Sequence, residues 1–146
     1  MRKVAFLVVV IIAVSLLLAV TLAGCEGEVS FTTASLSEAT MCQGVDENWK
    51  PVDAVDVFAV DTPEIFCSAK LSHAPDDTEV SAEWIYIEGE MEDLSNYLID
   101  TWSTTGGSGY LYASLTHPDN GWPKGDYQVV FYIDGKEELS VPFSVR

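Results

Sequence analysis

From about residue 38 the chain alternates apolar and polar positions in short runs broken by turn residues. Ile65, Cys67, Ala69 and Leu71 alternate with Phe66, Ser68, Lys70 and Ser72 before His73-Ala-Pro-Asp-Asp turns the chain. Val80, Ala82, Trp84 and Tyr86 then alternate with Ser81, Glu83, Ile85 and Ile87. A further run spans roughly Asn96 to Ser103 and is broken by Gly106-Gly107-Ser108-Gly109; Leu111, Ala113 and Leu115 mark the next, closed by His117-Pro-Asp-Asn-Gly. Such a period of two puts one set of side chains on each face of a half-buried strand. Tyr127, Val129, Phe131 and Ile133 share a face, Asp134-Gly135 signals a two-residue hairpin, and Leu139, Val141, Phe143 and Val145 return. Pro142 has no N–H to give a ladder, so its position is predicted to face an open edge or a bulge. With a first strand near Ala39 to Gln43, the pattern predicts about seven strands and an all-β domain. Only Glu90 to Asn96 leaves room for a helical turn.

The beginning of the chain is different. Arg2 and Lys3 precede an apolar run from Val4 to Val20, and Leu22-Ala23-Gly24-Cys25 follows. This arrangement resembles a bacterial lipobox, the site of lipid attachment and signal-peptide cleavage. The resemblance implies a signal peptide over 1–24 and a diacylglyceryl thioether on Cys25. A polar tether would occupy 25–37 and the folded domain 38–146. It also implies anchoring to the cell membrane, with the domain facing the periplasm or extracellular space. The competing reading is an uncleaved anchor: the apolar run would make a helix of roughly 26 Å, a little short of a bilayer core of ~30 Å. Both readings put residues 26 onward outside the cytoplasm.

Cleavage at that point removes two of the seven basic residues and none of the 23 acidic ones, leaving a net charge of −18. A surface of that sign repels nucleic acid and anionic headgroups, which excludes DNA and RNA as partners. With Cys25 taken by lipid, Cys42 and Cys67 are left as an even pair in an oxidising-permissive compartment. Joined, they would close a loop worth about 3 kcal/mol on the chain-entropy model. The alternative is two buried free thiols.

Seven short antiparallel strands in this length suggest an immunoglobulin-like or fibronectin-III-like sandwich. Trp84 falls mid-strand, where such domains bury a tryptophan on their third strand, and Gly125-Asp126-Tyr127-Gln128-Val129 resembles the tyrosine corner that opens the sixth. The chain departs from the antibody pattern at Val129, where those domains carry the second inter-sheet cysteine, so Cys67 would have to pair with Cys42. His73-Ala-Pro, Val80 to Tyr86, Gly121-Trp-Pro-Lys-Gly-Asp-Tyr-Gln-Val and Ile133-Asp-Gly-Lys together resemble an Ig-like module common in bacterial surface lipoproteins. That resemblance implies fold and location and adds no chemistry.

Candidate chemistry is sparse. His73 and His117 each lie beside a Pro-containing turn, with no nucleophile elbow or HExxH pattern, and read as turn residues. No Gly-rich phosphate loop stands between a strand and a helix, so an enzyme is not expected and no cofactor is implied. Asp76, Asp77 and Glu79, and again Glu88, Glu90, Glu92 and Asp93, are weak candidates for calcium. They match no cation-loop signature and read better as solvated loops.

The aromatic and aliphatic positions say more. If Trp84 and Tyr86 face the core, Ile85 and Ile87 point outward, as do Val130 and Tyr132 by the same alternation. On neighbouring strands these four would form one apolar patch. Either another envelope protein docks on it, or Val52–Val60 or Asn96–Ser103 covers it from within; internal cover is the expectation. Tyr110 and Tyr112, with Trp102 nearby, could stack on sugar rings or serve as cross-strand packing. Trp122, between Gly121 and Pro123, reads as a plug at the sandwich end. The expectation is a non-enzymatic, lipid-anchored binding or accessory module for another envelope protein. The alternative is a glycan- or calcium-binding module.

Overall fold

The structure, a computed structural model, describes residues 32–146, and residues from Thr33 to Arg146 form one compact unit. It is all β. Nine strands follow in order: β1 (Ser35–Val45), β2 (Pro51–Ala54), β3 (Val57–Phe58), β4 (Glu64–Ser72), β5 (Glu79–Gly89), β6 (Tyr97–Thr105), β7 (Gly109–Thr116), β8 (Gly125–Ile133) and β9 (Lys136–Val145). A four-stranded sheet runs β2-β1-β4-β7 and a five-stranded sheet β3-β9-β8-β5-β6. The pairs are antiparallel except β3 with β9, which is parallel.

The expected runs are all strands, and their alternation sets the core. Ile65, Cys67, Ala69 and Leu71 of β4 face Val80, Ala82, Trp84 and Tyr86 of β5, with Val129, Phe131 and Phe143 between the layers. Each sheet thus hides one row of side chains, and the two rows interdigitate. Trp84 packs edge-on to Phe143 at 5.9 Å, and Tyr127 stacks on Phe143 at 5.1 Å. The Tyr127 hydroxyl donates to the Pro123 carbonyl, closing the tyrosine corner. Glu90–Asn96 forms turns, held in part by Leu94 N–H donating to Met91 O.

Two short strands exceed the expected seven. The segment after β1 pairs with β1 as β2, crosses through Val55, whose N–H donates to Met41 O, and joins β9 as β3. It therefore ties the two sheets along one side. On β9, Ser144 and Arg146 donate to Asp56 O and Phe58 O, so Pro142 shares their direction but lies beyond the end of β3. The missing N–H faces an edge that nothing pairs, as the sequence requires. Asp134 and Gly135 have φ of 48° and 80°, the two left-handed residues of a tight hairpin turn.

The folded unit begins earlier than expected. Ala34 and Leu36 are buried in the core, β1 opens at Ser35, and the Thr33 hydroxyl donates to His73 O. The last residues of the expected tether are thus part of the sandwich. The lipobox, Cys25 and the rest of the tether before residue 32 lie outside the described residues.

The disulfide is corrected. Cys42 and Cys67 are free and buried. On β1 and β4, Cys42 lies opposite Phe66 and Cys67 opposite Met41, so the two cysteines are one register step apart. Successive side chains on a strand point to opposite faces, so these thiols sit on opposite sides of the sheet. The cause is a bulge: between Ser37 and Thr40, β1 advances three residues while β4 advances two, with Glu38 at φ 53°. That extra residue switches the face parity, placing both Leu36 and Met41 in the core and turning Cys42 away from it.

Candidate functional site

Three surfaces contain the residues that sequence reasoning singled out. The first is the outer face of the five-stranded sheet. β5 and β8 are neighbours, with Ser81 opposite Tyr132, Glu83 opposite Val130 and Ile85 opposite Gln128. Ile85, Ile87, Val130 and Tyr132 therefore share one face, as expected. Polar side chains interrupt them, and the Tyr132 hydroxyl donates to Glu83 Oε2 at 3.1 Å. Burial and the Glu83 carboxylate both raise the Tyr132 hydroxyl above its ordinary pKa. Val130 is buried, whereas Ile85, Ile87 and Tyr132 are half-buried. β6 extends the patch with Leu98, opposite Ile85 and 48% exposed. The expected internal cover is partial: of Val52–Val60, Asp56 and Val57 line a hollow with Ile87 at one margin, and Asn96–Ser103 lies largely within edge strand β6, which is part of the face itself. Neither crosses the face.

The second surface holds the expected stacking residues, and the structure regroups them. Trp102 on β6 and Tyr112 on β7 line one groove of about 320 Å³, with Thr104, Leu111 and Ser114. Tyr110 stands outside that lining. Its hydroxyl donates to Glu38 Oε2 at 2.6 Å, and the Lys50 and Lys70 ammonium groups lie 5.4 and 5.9 Å from its ring centre. Hydrogen bonding to that carboxylate raises the phenol's pKa. A flat platform of Trp102, Tyr110 and Tyr112 is therefore not built. Trp49 takes the third place, lining the groove with its ring centre 6.4 Å from that of Tyr112 and the planes at 60°. Sequence reasoning missed Trp49 because it belongs to no periodic run; the signal was an unassigned Trp in a polar turn, Asp46-Glu-Asn-Trp-Lys.

The third surface is an apolar cup at one end of the sandwich, about 160 Å³, lined by residues that include Met91, Leu94, Tyr97, Trp122 and Pro123. Trp122 is buried there as the expected plug, with its Nε1–H donating to Thr62 O at 2.6 Å and its ring 6.5 Å from that of Tyr127. The cup is closed below by Tyr86, whose hydroxyl accepts from Met91 N–H.

The acidic turns do not converge: among the described residues no group of three or more His, Cys, Asp or Glu side chains could hold a metal ion. Asp76, Asp77 and Glu79 are exposed around the turn that Thr78 N–H closes onto Pro75 O. His73 is exposed in its turn at φ 54°, and His117 N–H donates to Pro63 O. Among the described residues no helix is long and apolar enough to cross a membrane.

No protein-family model matches the chain, and no curated protein matches it. Solved structures are similar in fold. An immunoglobulin-like protein from Pseudomonas aeruginosa superposes with a TM-score of 0.50 at 10% identity, covering 79% of this chain and 98% of that one. A Pseudomonas fluorescens alkylpurine DNA glycosylase, solved bound to DNA with an abasic-site analogue, gives 0.50 at 13% identity. That match covers 79% of this chain and 31% of the glycosylase, so the chain spans about a third of it. At such identities the likeness is one of fold: the domain is an Ig-like β-sandwich.

Proposed function

We propose that this chain is a lipid-anchored, non-enzymatic envelope protein whose Ig-like domain binds another surface or periplasmic protein through the outer face of its five-stranded sheet. The observation that supports this most is the apolar strip of Ile85, Ile87 and Leu98, which the segments expected to cover it flank without crossing. Polar groups at its margin, the Glu83 carboxylate and the Tyr132 hydroxyl bound to it, would supply the polar rim of an interface and fix register. The anchor rests on the lipobox resemblance of Leu22-Ala23-Gly24-Cys25.

Two measurements test the reading separately. A photo-crosslinking residue in place of Ile87 should give a discrete protein adduct on intact cells, abolished by Ile85→Glu. The same probe at Asp119 should give none. Equal capture at both positions, or none at Ile87, removes the docking face. Palmitate labelling of the full chain should be lost in Cys25→Ser; an unlabelled wild-type chain beginning at Met1 removes the anchor.

A further inference from the structure

The groove between β6 and β7 has no place in that docking role, and its lining sets aromatic faces beside hydroxyl groups. β6 and β7 are the terminal strands of their sheets on the same side of the sandwich, and the groove runs between their free edges. Its lining is Trp49, Trp102, Thr104, Leu111, Tyr112 and Ser114. None of these ionises near neutral pH, although a fifth of the chain (21%) is charged. Two indoles and a phenol supply flat apolar faces, and the Thr104, Tyr112 and Ser114 hydroxyls supply donors and acceptors. The unpaired edges add backbone N–H and C=O groups.

Trp49 is held out deliberately. It is 53% exposed, and its φ of 62° is a conformation that a bulky side chain rarely adopts. The surrounding loop enforces it. Trp49 N–H donates to Asp46 O, Asn48 and Lys50 N–H both donate to Asp46 Oδ1, and the buried Ser68 hydroxyl donates to Trp49 O at 2.8 Å. The strain is thus borne at a residue that adds little to the core and leaves its indole exposed beside the groove.

We infer that this groove binds a neutral pyranose chain, with Trp49 and Trp102 stacking on the C–H faces of sugar rings and the edge hydroxyls meeting sugar hydroxyls. A pyranose is one of the few ligands that is at once uncharged, flat-faced and ringed by hydroxyls. The volume lies at the small end of the range for small-ligand sites (~300–1,000 Å³). The preference for neutral sugars follows from the lining and from the repulsion that an acidic surface imposes on anionic glycans.

The test uses the full chain in a polyoxyethylene detergent, titrated with tetrasaccharides of β-linked glucose, α-linked glucose, xylose and N-acetylglucosamine. Tryptophan emission and calorimetry are the readouts. At least one sugar should saturate with Kd of about 0.1–1 mM. Trp49→Ala should weaken binding about tenfold or more, while Trp49→Phe, which keeps a flat face, stays within about threefold. Thermal melts of both variants should match the wild type, because Trp49 is outside the core. If no sugar saturates by about 10 mM, or Trp49→Ala binds like the wild type, the assignment fails. Capture of a protein by a photo-crosslinker at Ser114, with no sugar saturating, would assign the groove to strand pairing instead.

Discussion

Cys42 and Cys67 lie on hydrogen-bonded strands, one register step apart, and point to opposite faces of the same sheet. Proximity in the ladder is therefore not proximity of sulfurs. Cys67 packs in the core, whereas Cys42 faces outward near Phe66 O and next to Ser68, which the Trp49 loop covers.

Both thiols should accordingly stay reduced and slow to react. Burial pushes each above its ordinary pKa, and the thiolate is the reactive form. Native protein is expected to show neither thiol to a disulfide reagent over minutes, and urea should expose both at once. Intact mass with and without reductant should agree for the 33–146 region after limited digestion. A difference of two hydrogens would mean that β1 can shift its register.

The tyrosine corner predicts a specific alkaline sensitivity. Burial first, and then the nearby Tyr86 and Glu90, raise the Tyr127 hydroxyl above its ordinary value of 10.0. The folded state therefore holds this proton more tightly than the unfolded chain does. Its contribution is complete below pH 10 and is lost as pH rises beyond it, because the unfolded state then binds fewer protons. Tyr127→Phe should cost about 1 kcal/mol at pH 7 through the lost bond to Pro123 O. Its stability should then fall less steeply than that of the wild type above pH 10. Urea melts at several pH values from about 8 to 11 give the two slopes.

Trp122 closes the end of the sandwich, and its removal should be among the costlier single changes. Trp122→Ala empties the space beside Tyr127 and leaves the Thr62 carbonyl without its donor. About 3–5 kcal/mol is expected, read as a lower urea midpoint with an unchanged slope. Trp122→Phe keeps most of the volume but not the hydrogen bond, and should fall between the two. A Trp122→Ala chain as stable as the wild type would mean that the cup is already loosely filled.

Periodicity carried the strands because most of their positions are decided by one buried face: Ile65 to Leu71, Val80 to Tyr86 and Tyr127 to Ile133 leave no alternative register. It failed where a single residue breaks the period. The bulge at Glu38 reverses face parity within β1, and no side chain there announces it, since Glu tolerates φ 53° only at a cost. β2 and β3 were invisible because a four-residue strand with no buried face and a two-residue strand carry almost no pattern. Of the proposed stacking set, Trp102 and Tyr112 line one groove because the edge strands β6 and β7 lie on the same side of the sandwich. Tyr110 is drawn away by Glu38, Lys50 and Lys70, contacts between distant segments that spacing cannot encode.

The hairpin joining β8 to β9 offers a clean measure of backbone strain. At Gly135 φ is 80°, and a Cβ added there meets nothing within 4 Å. Gly135→Ala therefore changes conformational preference without a clash, and should destabilise by about 1–2 kcal/mol. Asp134, at φ 48°, also accepts a hydrogen bond from Glu79 N–H through Oδ1. Asp134→Asn keeps both the left-handed tolerance and an acceptor, so it should stay within about 0.5 kcal/mol of the wild type. Asp134→Ala loses both and should fall with Gly135→Ala. Equilibrium urea unfolding of the three variants ranks them, and a neutral Gly135→Ala would show that the turn relaxes to another type without disturbing the Ile133–Lys136 pair that closes it.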